Sequence, residues 1–152
     1  MSTRRQAVAE LGSAMQQYQR SVQAYDDAVG RALGLGPADL RCLDWLVDGP
    51  KTAGVLATAT GLRPAATTAL LDRLETKGLV ERVRDDHDRR RVVVRMTEEG
   101  MRSTYAMYAP LVEEGQRLLG RHTLAELTAA RDLLDAMREM TDRHRERLGS
   151  QS

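Results

Sequence analysis

Apolar side chains recur through residues 5–34 at Val8, Leu11, Met15, Tyr18, Val22, Tyr25 and Val29, with spacings that alternate between three and four. Side chains three and four apart share one face of a helix, so the pattern predicts an amphipathic helix of about seven turns. A seam so narrow and so long wants a partner helix, because this alternation is the register in which helices pack on each other. The helix should stop at Gly34, where glycine permits the left-handed closing turn, and Pro37 then opens a second helix to about Val47. That helix turns Leu40, Leu43, Leu46 and Val47 inward and ends before Gly49 and Pro50. Thr52 is placed to cap a short helix to about Ala59.

After a corner at Gly61 and Leu62, Pro64 stands at the first position of a fourth helix that runs to about Lys77. Thr67, Leu70, Leu71 and Leu74 form its apolar face. The opposite face carries Arg63, Ala65, Ala66, Thr68, Ala69, Asp72 and Arg73, and near its start it has nothing bulky to prevent close approach to another surface. From Gly78 the period falls towards two, which predicts strands at Leu79–Val83 and Val92–Met96 joined by a polar turn. Thr97 then caps a helix from Glu98 to about Gly120, with Pro110 as an expected kink. Thr123 and Glu126 form a capping box that opens a last helix to about Arg147, and residues 149–152 should fray. The expectation is a helix-turn-helix with a β-wing, bracketed by long helices.

Composition supports a helical fold. The 152 residues contain no Phe and no Ile, one Trp and four Tyr, so the core must come from Leu, Ala, Val and Met. Leu and Ala favour helices over sheets. Arg outnumbers Lys by 21 to 2, which together with the Ala and Leu content suggests coding bias in a GC-rich genome. The length suits one compact fold unit. No apolar run reaches the ~20 residues of a membrane span. Residues 1–22 lack the apolar centre of a signal peptide, and the lone Cys42 excludes an internal disulfide, so the expected location is the reducing cytoplasm.

Charge sharpens the middle of the chain. The formal net charge is +1, yet residues 63–97 hold nine basic and six acidic side chains, with the basic ones densest at Arg89, Arg90 and Arg91. An excess confined to one stretch is how a nucleic-acid footprint looks, although a solvated surface would read the same way on charge alone.

The ordered motifs decide between these. Thr52, Leu56 and Ala57, Gly61 and Leu62, Thr68 to Glu75, Lys77 to Val80, Asp88 to Arg90, and Met96 to Gly100 follow in sequence. In this order they closely resemble the core of the MarR family of winged helix-turn-helix regulators. The resemblance implies a mainly α fold with a small β-wing, in which the winged helix-turn-helix (36–97) is flanked by long N-terminal (1–35) and C-terminal (98–152) dimerisation helices. It implies a homodimer whose first and last helices interlock, with Val8, Leu11, Met15, Leu127, Leu134 and Met137 in the seam. Two recognition helices would then enter successive major grooves roughly 34 Å apart on a pseudo-palindromic duplex.

The matching positions receive roles by the same resemblance. Arg63, Ala65, Thr68 and Arg73 would face DNA from the recognition helix, Thr68 at a base edge or phosphate and the arginines at phosphates, or at a guanine edge for Arg63. Arg90 matches a wing-tip arginine that enters the minor groove, and Asp88 would orient its guanidinium. Arg89 and Arg91 would point away from Arg90 on the ribbon and supply one phosphate contact at most. Two positions depart from the family pattern: Arg63 replaces a Ser or Thr cap, and Ala69 replaces a base-reading Arg. The wing and the shape of the duplex should therefore matter relatively more.

Other chemistry is sparse. Cys42 reads as a small buried hydrophobe. His87, His122 and His144 are scattered, so no metal site and no cofactor is expected, and no catalytic constellation appears. Family members commonly bind small aromatic or phenolic effectors between the dimerisation helices and the DNA lobe. Tyr18, Tyr25, Trp45 and Tyr105, with Tyr108, are the aromatics available to such a pocket. The expectation is a DNA-binding repressor released by an effector; the alternative is a winged-helix interaction module that no longer reads DNA.

Overall fold

A computed structural model of the chain describes residues 3–149. Its elements, in order, are α1 (Arg4–Leu33), α2 (Pro37–Val47), α3 (Ala53–Thr60), α4 (Pro64–Thr76), β1 (Val80–Arg84), β2 (Val92–Met96), α5 (Glu98–Leu119) and α6 (Leu124–Gly149). The expected fraying lies outside the described residues except at Gly149, which still belongs to α6. The chain divides after Met107, inside α5, into two compact units.

The local signals act as their chemistry requires. Thr52 Oγ1 accepts the Val55 N–H and opens α3. Gly61 closes it in the left-handed region (φ 70°), where a side chain would meet its own backbone. Thr97 serves two neighbours: its hydroxyl accepts the Gly100 N–H at 3.0 Å and donates to the Gly78 carbonyl at 2.5 Å. Gly100 is needed there, because a Cβ would stand 2.1 Å from the Leu79 carbonyl oxygen. At Thr123 the box is complete. Its N–H donates to the Glu126 carboxylate at 2.8 Å, and the Glu126 N–H donates to its hydroxyl oxygen at 3.3 Å. Pro110 lies inside α5, which continues through it to Leu119.

The core of the first unit is made where α2, α3, α4 and the two strands meet. Cys42, Leu43, Leu56, Leu70, Leu71, Leu74, Val80 and Val94 are buried there, with Leu35, Leu46 and Leu79 around them. β1 and β2 form an antiparallel pair running from Val80 opposite Met96 to Arg84 opposite Val92. The loop after α2 adds a bridge that periodicity does not reveal. Lys51 and Val94 exchange both backbone hydrogen bonds, at 2.9 and 2.7 Å, and so tie the wing to the helix-turn-helix.

α1 and α6 differ from the lobe. Only Val29 and Gly30 are buried on α1, and no residue is buried on α6. Within the first unit α1 is tied to α5 by the Tyr25 hydroxyl, which donates to the Met107 carbonyl at 2.6 Å.

Candidate nucleic-acid interface

Helix α4 begins without a side-chain cap. Arg63 holds extended backbone before Pro64 and makes no capping hydrogen bond. Since Pro64 has no N–H, the Ala65 and Ala66 N–H groups are left at the positive end of the helix, where an anion is favoured. Thr67, Leu70, Leu71 and Leu74 are buried against the lobe. Ala65, Ala66, Thr68, Ala69, Asp72 and Arg73 are all exposed, as the alternation of faces predicts.

Two side chains on this face are already engaged. The Thr68 hydroxyl donates to the Pro64 carbonyl at 3.1 Å, which spends its proton on the helix. What remains is an acceptor oxygen, suited to an amino group of adenine or cytosine. Arg73 Nη2 donates to Asp39 Oδ1 at 3.0 Å, while the Arg73 side chain stays 57% exposed. Asp39, at the start of α2, is buried, and its other oxygen accepts the Gly36 N–H at 2.9 Å.

The sequence reading missed Arg82. This β1 residue donates to Asp72 at 2.7 Å and also pairs with Glu75, so it clasps the wing to the outer edge of α4. The Asp72 hydrogen bond, partly opposed by burial, raises the pKa of its guanidinium. The signal was present, since Asp72 and Glu75 stand three apart on one helix edge, but only the sheet shows which cation faces them.

The wing loop is held by backbone and carboxylates. Asp85 N–H donates to the Arg91 carbonyl and Arg91 N–H to the Asp88 carbonyl, both at 2.9 Å. Asp85 Oδ1 accepts the His87 N–H and Asp88 Oδ1 the Arg90 N–H, at 2.9 and 3.0 Å. Asp88 thus acts on the Arg90 backbone, whereas the expectation was an effect on its guanidinium. Arg89 and Arg90 form the turn itself and strand pairing resumes only at Val92, so the ribbon alternation expected of Arg89, Arg90 and Arg91 does not apply to them. Arg91 Nε lies 3.9 Å from Asp85. Among the described residues Arg89 and Arg90 have no ion-pair partner, and both side chains are exposed.

The remaining candidates are dispersed. Tyr18 and Tyr105 are exposed, and Tyr25 is half-buried through its bond to Met107. Trp45 borders a depression of about 180 Å³ with Asp44, Val47 and Asp48. Burial raises the Asp44 pKa, helped by the Asp48 and Asp26 carboxylates. A second depression of about 210 Å³, lined by Asp27, Gly30, Arg31, Leu35, Pro37 and Leu40, contains no aromatic side chain. Val8, Leu11 and Leu134 are exposed, and Met15, Leu127 and Met137 are half-buried. Cys42 is fully buried, with its thiol pushed up to about 11 by burial and by Asp39. Among the described residues no group of three or more His, Cys, Asp or Glu side chains is placed to hold a metal ion, and no helix is long and apolar enough to cross a membrane.

Known proteins share this arrangement. The family model described as MarR family matches residues 33–91, from the end of α1 to the wing. An uncharacterized HTH-type transcriptional regulator of Bacillus subtilis (strain 168), YcgE, is 37% identical over 125 residues, which are 82% of this chain and 81% of that protein. A MarR family protein from Bacillus stearothermophilus has a solved structure that superposes with a TM-score of 0.68 at 27% identity, over 92% of this chain and 99% of that one. A structure of S. aureus MepR gives a TM-score of 0.69 at 19% identity, over 86% and 96% of the two chains, and so shares the fold. The chain therefore belongs to the MarR family, the winged helix-turn-helix transcriptional regulators that bind DNA.

Proposed function

We propose that the protein is a repressor that binds a pseudo-palindromic operator as a homodimer and is released by a small effector. The observation that carries this reading is the pairing, on one lobe, of a flat helix face with two exposed wing arginines whose side chains have no ion-pair partner among the described residues. Small side chains at Ala65, Ala66 and Ala69 let α4 approach the floor of a major groove. Its uncapped N-terminus and Arg63 then meet a phosphate. Arg90 is assigned to the minor groove, with Arg89 at the flanking backbone, where A·T-rich duplex concentrates negative potential. With Ala69 offering no hydrogen bond, base reading rests on Thr68 and on duplex shape.

The homodimer reading rests on the exposed apolar seams of α1 and α6. A two-fold pair of lobes would set the recognition helices roughly one helical turn of DNA apart, about 34 Å. Release requires an effector that binds the DNA-incompetent arrangement more tightly than the competent one. The carboxylates beside Trp45 make a cationic or neutral effector the better fit to that depression.

Footprinting on the DNA upstream of the protein's own gene, over a range of salt and with and without phenolic acids and aromatic cations, tests this reading. The expected result is two protected half-sites one turn apart, affinity that falls steeply with salt, and loss of protection with one ligand class. Protection of a single half-site would overturn the dimer, and absence of salt-dependent binding would leave the interaction-module alternative standing.

A further inference from the structure

We infer that Asp39 is a positioning residue for DNA binding, acting through Arg73. It lies on α2, 34 residues from Arg73, and would not itself touch a duplex. Its side chain is only 10% exposed, and both carboxylate oxygens are committed, one to the Gly36 N–H that opens α2 and one to Arg73 Nη2. The carboxylate is thus fixed by the backbone of one helix and fixes the guanidinium of another. A guanidinium is a rigid fork of five donors, and Asp39 takes one of them, so the others on the half-exposed Arg73 are aimed outward in a set direction. An arginine held this way loses little rotamer freedom when it meets a phosphate, which is how preorganisation raises affinity. The opposite outcome is also chemically open: if Asp39 merely neutralised Arg73, removing its charge would tighten binding.

This inference rests on the regulator reading above. Its test is a double-mutant cycle on a duplex carrying the DNA upstream of the protein's own gene, with Kd measured across a salt series. Asp39→Asn keeps an oxygen for the Gly36 N–H but removes the charged anchor of Arg73. The expected result is that D39N weakens binding by about five- to tenfold while Arg73 is present and has no effect when Arg73 is already alanine. R73A should also reduce the slope of log K against log salt by about 0.9 for each lobe bound. Equal loss in both backgrounds, no loss, or tighter binding by D39N overturns the inference. Should D39N fail to fold by circular dichroism, Arg73→Lys decides instead. It keeps the charge, and so nearly the full salt slope, but its ammonium lacks the fork, so a loss of about fivefold is expected; binding equal to the unaltered protein overturns the inference. If the unaltered protein shows no salt-dependent binding, the regulator reading itself fails, a result distinct from binding without coupling.

Discussion

Three leucines of α4 and three of α6 have the same side chain and opposite surroundings. Leu70, Leu71 and Leu74 are at most 1% exposed, whereas Leu124, Leu134 and Leu148 are 60% exposed or more. Burying a leucine side chain is worth about 1.5–3 kcal/mol, so α4 has already gained what α6 still has open to it. The winged lobe closes a core from its own helices and strands. The long helices leave much of their apolar seams exposed, at Val8, Leu11 and Tyr18 on α1 and at Leu124, Leu134 and Leu148 on α6, and a long amphipathic helix depends on packing of that face for most of its stability. One region closes its own core, and the other leaves apolar side chains exposed, which is why a second copy is the occupant proposed above.

The sharpest way to break this contrast is to charge the open seam. Leu134→Asp with Leu11→Asp should leave the lobe folded but give a monomer in sedimentation. Operator affinity should then fall by about 10²–10⁴, the avidity lost when two half-sites are no longer held by one particle. An unchanged dimer would place the seam elsewhere. In the closed core Leu71→Ala is expected to cost about 2–5 kcal/mol in denaturant unfolding because it opens a cavity among packed neighbours. A similar cost for Leu134→Ala in the isolated monomer would erase the distinction between the two regions.

Within the lobe, the helix face and the wing tip can be ranked. Arg90→Ala should weaken binding by about tenfold and more than Thr68→Ala, since the Thr68 hydroxyl proton is held by Pro64 while the Arg90 guanidinium has no ion-pair partner among the described residues. A larger loss at Thr68 in a salt-controlled assay would reverse the weight given to wing and helix. The smallest effect concerns Cys42. Its thiol moves from 9.0 to about 11 on folding, so the native state keeps a proton that the unfolded chain releases. Stability from this group is therefore full below pH 9 and declines as pH rises from about 9 towards 11, and Cys42→Ala should flatten that decline. Native protein should also resist thiol alkylation at neutral pH, and rapid labelling without unfolding would contradict its burial.

Much of the fold was legible because its signals are local. Pro37 and Pro64 at first helical positions, Thr52 and Thr123 at caps, and glycines at the corners each act within four residues of themselves, and every helix starts within a residue or two of where they place it. The strands were harder at their edges: Leu79 belongs to the turn and β1 begins at Val80, since period-two burial alone does not show where pairing starts. The candidate site was legible as a set of exposed residues, but not as a set of engaged ones. Arg73 and Thr68 read as free donors until Asp39 and the Pro64 carbonyl were seen to hold them. Asp88 read as a partner for a guanidinium because a carboxylate two residues from an arginine can reach either the side chain or the N–H, and the turn selects the N–H.

The sequence by itself determined the order and kind of elements, the apolar face of α4 and its flat outer face, and the arginines at the wing, because each follows from chemistry within a turn or two of chain. Val47, expected to turn inward, is instead 53% exposed. Only the tertiary structure decided that Arg82 joins wing to recognition helix, that Lys51 pairs with Val94, and that a buried Asp39 holds Arg73. Those are contacts between separate elements, and no local propensity specifies which of several exposed cations a given carboxylate will meet. The partner is set only when the hydrophobic core brings the helices and the sheet to a fixed distance and register.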